Sequence, residues 1–121
     1  MLNKIKFSYK QADKQDNNFT AYHTRFKCKI KVDGLQYTFP YQCNTEHMMP
    51  NLMDCLSCLI SDKFAYEDSR DLIDFCNEFG YLERAGVDAY KACKKTAKAL
   101  NRLFTEEELE EIQKELEEEG Y

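Results

Sequence analysis

The fold is decided by Thr24-Arg25-Phe26-Lys27-Cys28-Lys29-Ile30-Lys31-Val32-Asp33-Gly34-Leu35-Gln36-Tyr37-Thr38-Phe39-Pro40-Tyr41-Gln42-Cys43. Thr24, Phe26, Cys28, Ile30 and Val32 alternate with Arg25, Lys27, Lys29 and Lys31, and the run ends at Asp33-Gly34. Asp-Gly between alternating runs marks a hairpin, because a type I′ turn needs positive φ at both central residues. A two-residue loop then pairs Val32 with Leu35, Ile30 with Tyr37, Cys28 with Phe39 and Phe26 with Tyr41, placing all eight on one face. A slip of one residue would turn every one of them into water. Pro40 has no N–H to give a central ladder, so the second strand of this hairpin lies at a sheet edge or ends near it.

Upstream, Ile5, Phe7 and Tyr9 alternate with Lys4, Lys6 and Ser8, which predicts a half-buried strand over Lys4 to Tyr9. Residues 10–20 are polar and without period, a connecting loop. Beyond Cys43 the period becomes helical. Pro50 suits a first helical turn, and Leu52, Met53, Leu56, Leu59 and Ile60 continue it to about Asp62. A second helix runs from about Glu67 to Phe79, with Leu72, Ile73, Phe75, Cys76 and Phe79 inward and Gly80 as its stop. The third, about Ala85 to Phe104, sets Tyr90, Cys93, Ala97, Leu100, Leu103 and Phe104 against Lys91, Lys94, Lys95, Lys98 and Arg102. Thr105-Glu106-Glu107-Glu108 matches a capping box that opens a last helix with Leu109, Ile112 and Leu116 as its apolar stripe. Strands first and helices after predict an α+β fold: a three-stranded antiparallel meander packed on three to four helices. The absence of βαβ alternation argues against a doubly wound nucleotide-binding sheet.

A chain of 121 residues with 43% hydrophobic and 32% charged residues suits one folded domain. Its expected parts are a β-meander over 1–45, a helical layer over 50–104 and an acidic amphipathic helix over 105–121. Lysines interrupt the only apolar run near the N-terminus and no stretch of about 20 apolar residues follows, so the expected location is cytoplasmic, away from membranes. The six cysteines then read as reduced, buried small hydrophobes.

The net charge of −5 conceals an uneven distribution. Residues 1–50 carry +4, residues 51–104 carry −1 and residues 105–121 carry −8. Arg25, Lys27, Lys29 and Lys31 stand on the solvent face of one strand, about 6.6–7 Å apart in succession. That row either keeps an exposed sheet soluble or tracks an anionic partner. Base-specific readout has no support, because Phe26, Tyr37 and Phe39 alternate onto the buried face and leave no stacking platform. At the other end of the chain, early glutamates suit a helix N-terminus, but Glu117 to Glu119 sit where the helix dipole disfavours anions. Glu110, Glu111, Glu117 and Glu118 are therefore either a solvated end or a phosphate-like surface for a basic groove.

Cys55-Leu56-Ser57-Cys58 lies inside a helix, which removes the dipole assistance a redox pair needs. The two thiols at i and i+3, joined by His47, Cys43 or Cys76, would make a zinc site, but no second close pair exists and core packing is the preferred reading. With only His23 and His47 as bases and four scattered glycines, neither nucleophilic catalysis nor a phosphate-cradling loop is indicated. No enzyme activity, cofactor or metal is expected.

Met53-Asp54-Cys55-Leu56-Ser57-Cys58-Leu59, then Leu72-Ile73-Asp74-Phe75-Cys76-Asn77-Glu78-Phe79-Gly80-Tyr81, then Tyr90-Lys91-Ala92-Cys93 resemble a small protein family seen in many tailed bacteriophages. The resemblance covers roughly residues 50–104. It departs at Leu82-Glu83-Arg84-Ala85-Gly86, which replaces the family's Asp- and Ser-rich turn. It implies a viral origin and action in the host cytoplasm, and it assigns no functional residue. The leading expectation is a non-enzymatic phage protein that inhibits a host defence complex, such as a CRISPR effector, by binding a host protein or ribonucleoprotein. The alternatives are a nucleic-acid-binding accessory of phage replication or recombination, and a sponge for a nucleotide immune signal.

Overall fold

Three strands and then four helices follow one another in the computed structural model, which describes residues 1–12, 24–43, 49–79 and 83–121. They are β1 (Lys6–Gln11), β2 (Thr24–Val32), β3 (Leu35–Cys43), α1 (Leu52–Glu67), α2 (Leu72–Phe79), α3 (Glu83–Leu103) and α4 (Glu106–Glu118). This is an α+β arrangement. The chain divides into two compact units, Met1–Cys55 with Glu111–Tyr121, and Leu56–Glu110, so the divisions fall within α1 and α4.

In the first unit the sheet has the order β1-β2-β3, antiparallel throughout. Asp33 and Gly34 take φ of 49° and 81°, the type I′ geometry that Asp-Gly favours. All four expected apolar pairs stand in register, from Val32 opposite Leu35 to Phe26 opposite Tyr41. Cys28 and Ile30 are fully buried, with Phe26, Val32, Tyr37 and Phe39 beside them. Leu35 departs from the expectation at 41% exposed, since it follows the turn at the end of the ladder. Pro40 lies in β3, an edge strand, as its missing N–H requires.

The first strand differs from its sequence reading. Lys4 belongs to a 3-10 turn over Leu2–Lys4, and β1 continues through Lys10 and Gln11, residues expected in the loop. The Ala12 N–H then donates to the Arg25 carbonyl at 2.9 Å. Backbone pairing with the otherwise open side of β2 outweighs the polar character of these side chains.

Pro50 precedes α1, whose cap is Asn51: its Oδ1 accepts the Asp54 N–H at 2.9 Å. The end of α4 supplies Ile112 and Leu116, both buried. Glu115 accepts from the Met1 ammonium at 2.8 Å and from the Leu2 N–H at 3.1 Å. The hydrogen bond from the ammonium holds the Glu115 carboxyl below its ordinary range, and Glu115 in turn raises the amine.

The second unit buries Leu56, Leu59, Ile60, Phe75, Cys93, Ala97, Leu100, Leu103, Phe104 and Leu109. The first helix outruns its expected end at Asp62 because Lys63, itself buried, pairs with Glu67 one turn on. Residues 68–71 therefore form a turn, and α2 begins at Leu72 rather than Glu67, capped by Asp71, whose Oδ1 accepts the Asp74 N–H at 2.9 Å. Ile73, expected inward, is 70% exposed, while Phe75 packs edge-on to Tyr90 of α3 with ring centroids 5.5 Å apart. The capping box at α4 is reciprocal: Glu108 N–H to Thr105 Oγ1 at 3.1 Å and Thr105 N–H to Glu108 Oε1 at 2.9 Å. The stop expected at Gly80 lies outside the described residues.

Candidate anion-binding face

The face of the sheet opposite its apolar side is built by strand alternation alone. Lys6, Ser8 and Lys10 come from β1, Arg25, Lys27, Lys29 and Lys31 from β2, and Gln36, Thr38, Pro40 and Gln42 from β3; all eleven are exposed. Among the described residues the face holds six cations and no carboxylate. The pairing arranges it in rows across the strands: Lys6, Lys31 and Gln36; then Ser8, Lys29 and Thr38; then Lys10, Lys27 and Pro40.

Two of these rows set lysines directly opposite lysines, Lys6 across from Lys31 and Lys10 across from Lys27. Directly opposed like charges destabilise an antiparallel pair. Among the described residues, no carboxylate forms a salt bridge with Lys6, Lys10, Lys27, Lys29 or Lys31. Solubility alone would be served by alternating signs, whose cross-strand pairs attract.

The four basic residues expected to form a site thus lie together on the central strand. Lys6, Lys10, Ser8 and Thr38 join them through the register. A hollow of about 320 Å³ opens among Ser8, Tyr9, Lys10, Lys27, Lys29 and Thr38. Tyr9 is 41% exposed, and its ring stands edge-on to Phe26 at 5.7 Å between centroids.

The acidic candidates on α4 divide by role. Glu110, Glu111, Glu117 and Glu118 are all exposed. Glu111 Oε1 lies 3.6 Å from the Met1 amine, so part of its charge is already answered within the fold. On α3, Lys91, Lys95 and Lys98 are exposed and Lys94 is half-buried, a second basic stripe belonging to the other unit.

The expectation of six buried cysteines needs correction: Cys28, Cys43, Cys55 and Cys93 are buried, whereas Cys58 is exposed and Cys76 half-buried. Cys55 adjoins Cys28, and the hydrogen bond between these thiols lowers Cys28 against the effect of burial. Burial pushes Cys93 up to about 11, helped by Asp62. None of the six cysteines is in a disulfide, and no group of residues suited to a metal occurs among those described. His23 and His47 lie outside the described residues.

A larger hollow, about 470 Å³, lies in the second unit among Ala65, Asp68, Ser69, Arg70, Asp74, Asn77 and Glu78. Its one cation, Arg70, lies 3.4 Å from Asp74. It presents mixed charge with no convergent donor set. No described helix is long and apolar enough to cross a membrane. Compared with known protein families, characterised proteins and solved structures, the chain matches none.

Proposed function

We propose that this is a non-enzymatic binding protein whose basic sheet face engages the phosphate backbone of a nucleic acid, free or held in a ribonucleoprotein. The observation that carries the reading is the six-cation face with lysine opposite lysine and no carboxylate among the described residues, an arrangement that costs the free protein stability and is relieved by a polyanion. Among the described residues Tyr9, edge-on to Phe26, is the one aromatic bordering the hollow on this face, which gives no run of rings on which successive bases could stack, so the face suits stacked duplex backbones better than unstacked single strands. The resemblance to tailed-phage proteins supports a setting in the infected cell, where the bound ribonucleoprotein is a host defence complex.

The test is fluorescence anisotropy with a labelled 20-base-pair duplex at 50 and 200 mM salt. If all six cations contact phosphate, the logarithmic salt slope approaches about −5 and affinity falls on the order of 10³-fold between the two conditions. Absence of duplex binding at 50 mM salt overturns the reading.

A second reading draws on Glu117 and Glu118, exposed at the end of α4 where the helix dipole gives them no local support. There the acidic helix occupies a basic groove on a partner. Its test is Glu110→Gln with Glu117→Gln and Glu118→Gln, since removing residues 106–121 would also delete buried Ile112 and Leu116. The second reading requires these substitutions to weaken capture of the host complex while leaving duplex binding intact.

A further inference from the structure

We infer that the hollow among Ser8, Tyr9, Lys10, Lys27, Lys29 and Thr38 is a seat for a single backbone phosphate, the fixed point at which a nucleic acid registers on the sheet. The inference rests on the reading of the basic face given above and names the place on it where, among the described residues, hydroxyls and ammoniums share neighbouring rows.

The three strands place Ser8, Lys29 and Thr38 in one row, with Lys10 and Lys27 in the next row opposite each other. Two residues with short hydroxyls thus flank a central lysine, on strands whose backbones lie about 9–10 Å apart. A phosphate oxygen accepts from both donor types, and charge-assisted hydrogen bonds are the stronger kind. The remainder of the face offers a different chemistry. Lys6 and Lys31 share a row with Gln36 and have no hydroxyl neighbour in it, so they hold an anion by charge alone.

Burial and register strengthen the assignment. The opposite sides of these strands carry Cys28 and Ile30, both fully buried, so the backbone that positions Lys27 and Lys29 is fixed by the core. Lys10 and Lys27 repel each other across the ladder, and an anion between them turns that repulsion into two attractions. About 320 Å³ accommodates a phosphate and the sugar attached to it, at the small end of ligand sites. The openness of a sheet face lets the flanking backbone continue across Lys31 or Arg25, which is why a polymer is favoured over a free nucleotide.

The experiment uses the whole chain, labelled with ¹⁵N, titrated at constant ionic strength with inorganic phosphate, a 5′ mononucleotide and a 20-base-pair duplex. Saturable shifts at Ser8, Lys27, Lys29 and Thr38 are expected with all three, at the lowest concentration for the duplex. The neutral double substitution Ser8→Ala with Thr38→Ala should weaken duplex binding on the order of ten-fold and leave the salt slope unchanged. Lys31→Ala should instead reduce the slope by about 0.9 and leave the phosphate shifts in place. Duplex binding that is unaffected by the double substitution, or phosphate shifts spread evenly over the six cations, overturns the seat while leaving the basic-face reading intact. Saturable phosphate shifts at these residues without duplex binding would overturn the basic-face reading and uphold the phosphate site. A mononucleotide that binds more tightly than the duplex overturns the backbone assignment.

Discussion

Lys27→Glu should stabilise the protein while weakening its hold on nucleic acid. Lys27 is exposed on β2, directly opposite Lys10 and two residues from both Arg25 and Lys29 on the same face. Replacement by glutamate converts the Lys10 pair from repulsive to attractive. Cross-strand charge pairs contribute about 0.2–1 kcal/mol, so the reversal amounts to roughly 0.4–2 kcal/mol, and strand propensity changes little because both residue types are disfavoured in strands. For a chain of this length, about 1 kcal/mol corresponds to roughly 3–6 °C in Tm. The gain is measured by thermal unfolding in about 20 mM salt and should shrink strongly in 1 M salt, where screening acts within about 3 Å. Lys27→Gln should fall between wild type and Lys27→Glu. In the anisotropy assay, both variants should bind duplex less tightly, the glutamate variant most weakly. Unchanged or lowered stability at low salt would refute the claim that this face is held against its own repulsion.

The remaining predictions concern the scaffold. Glu115→Gln should remove a pH-dependent contribution to stability. The Glu115 pKa is lowered in the fold, so its contribution is complete above the ordinary value of 4.5 and disappears as pH falls through the folded value. The Met1 amine is raised, so its share is complete below 8.0 and disappears as pH rises through its folded value; urea titrations from pH 3 to 10 should therefore show wild type and variant converging at both extremes. Thr105→Ala should cost about 0.5–2 kcal/mol and speed amide exchange in the first turn of α4, where its hydroxyl accepts from Glu108. Thiol labelling of the native protein at pH 8, followed by mass spectrometry, should modify exposed Cys58 first, half-buried Cys76 more slowly, and Cys28, Cys55 and Cys93 only on unfolding.

The β2-β3 hairpin was legible because turn chemistry and a two-residue alternation both act over short distances and agree. The capping box at Thr105 was legible for the same reason. Local signals could not reveal how β1 registers on β2, since the connection carries no turn signature to set the offset. Lys10 consequently read as loop, and the rows joining Lys10 to Lys27 and Ser8 to Lys29 to Thr38 were invisible in the sequence. The end of α1 lies beyond the hydrophobic pattern because Lys63, a charged residue, is buried and pairs with Glu67, which such a pattern cannot anticipate. Ile73 misled in the opposite sense, an apolar residue left in solvent. Of the candidate site, the charges on β2 were readable from alternation, whereas the flanking hydroxyls required the sheet.

The unit that contains the sheet is discontinuous, assembled from Met1–Cys55 and Glu111–Tyr121. A ribosome delivering the chain from its N-terminus releases all three strands well before Ile112, Glu115 and Leu116 exist outside the exit tunnel. The intervening Leu56–Glu110 unit consists of helical segments with near neighbours in sequence, so it can organise while synthesis continues. The sheet's unit must bring together Met1 and Glu115, 114 positions apart, before it is complete. The unit that carries the basic face is therefore completed last, and until then Phe26, Cys28, Ile30 and Phe39 belong to an unfinished core that is open to aggregation.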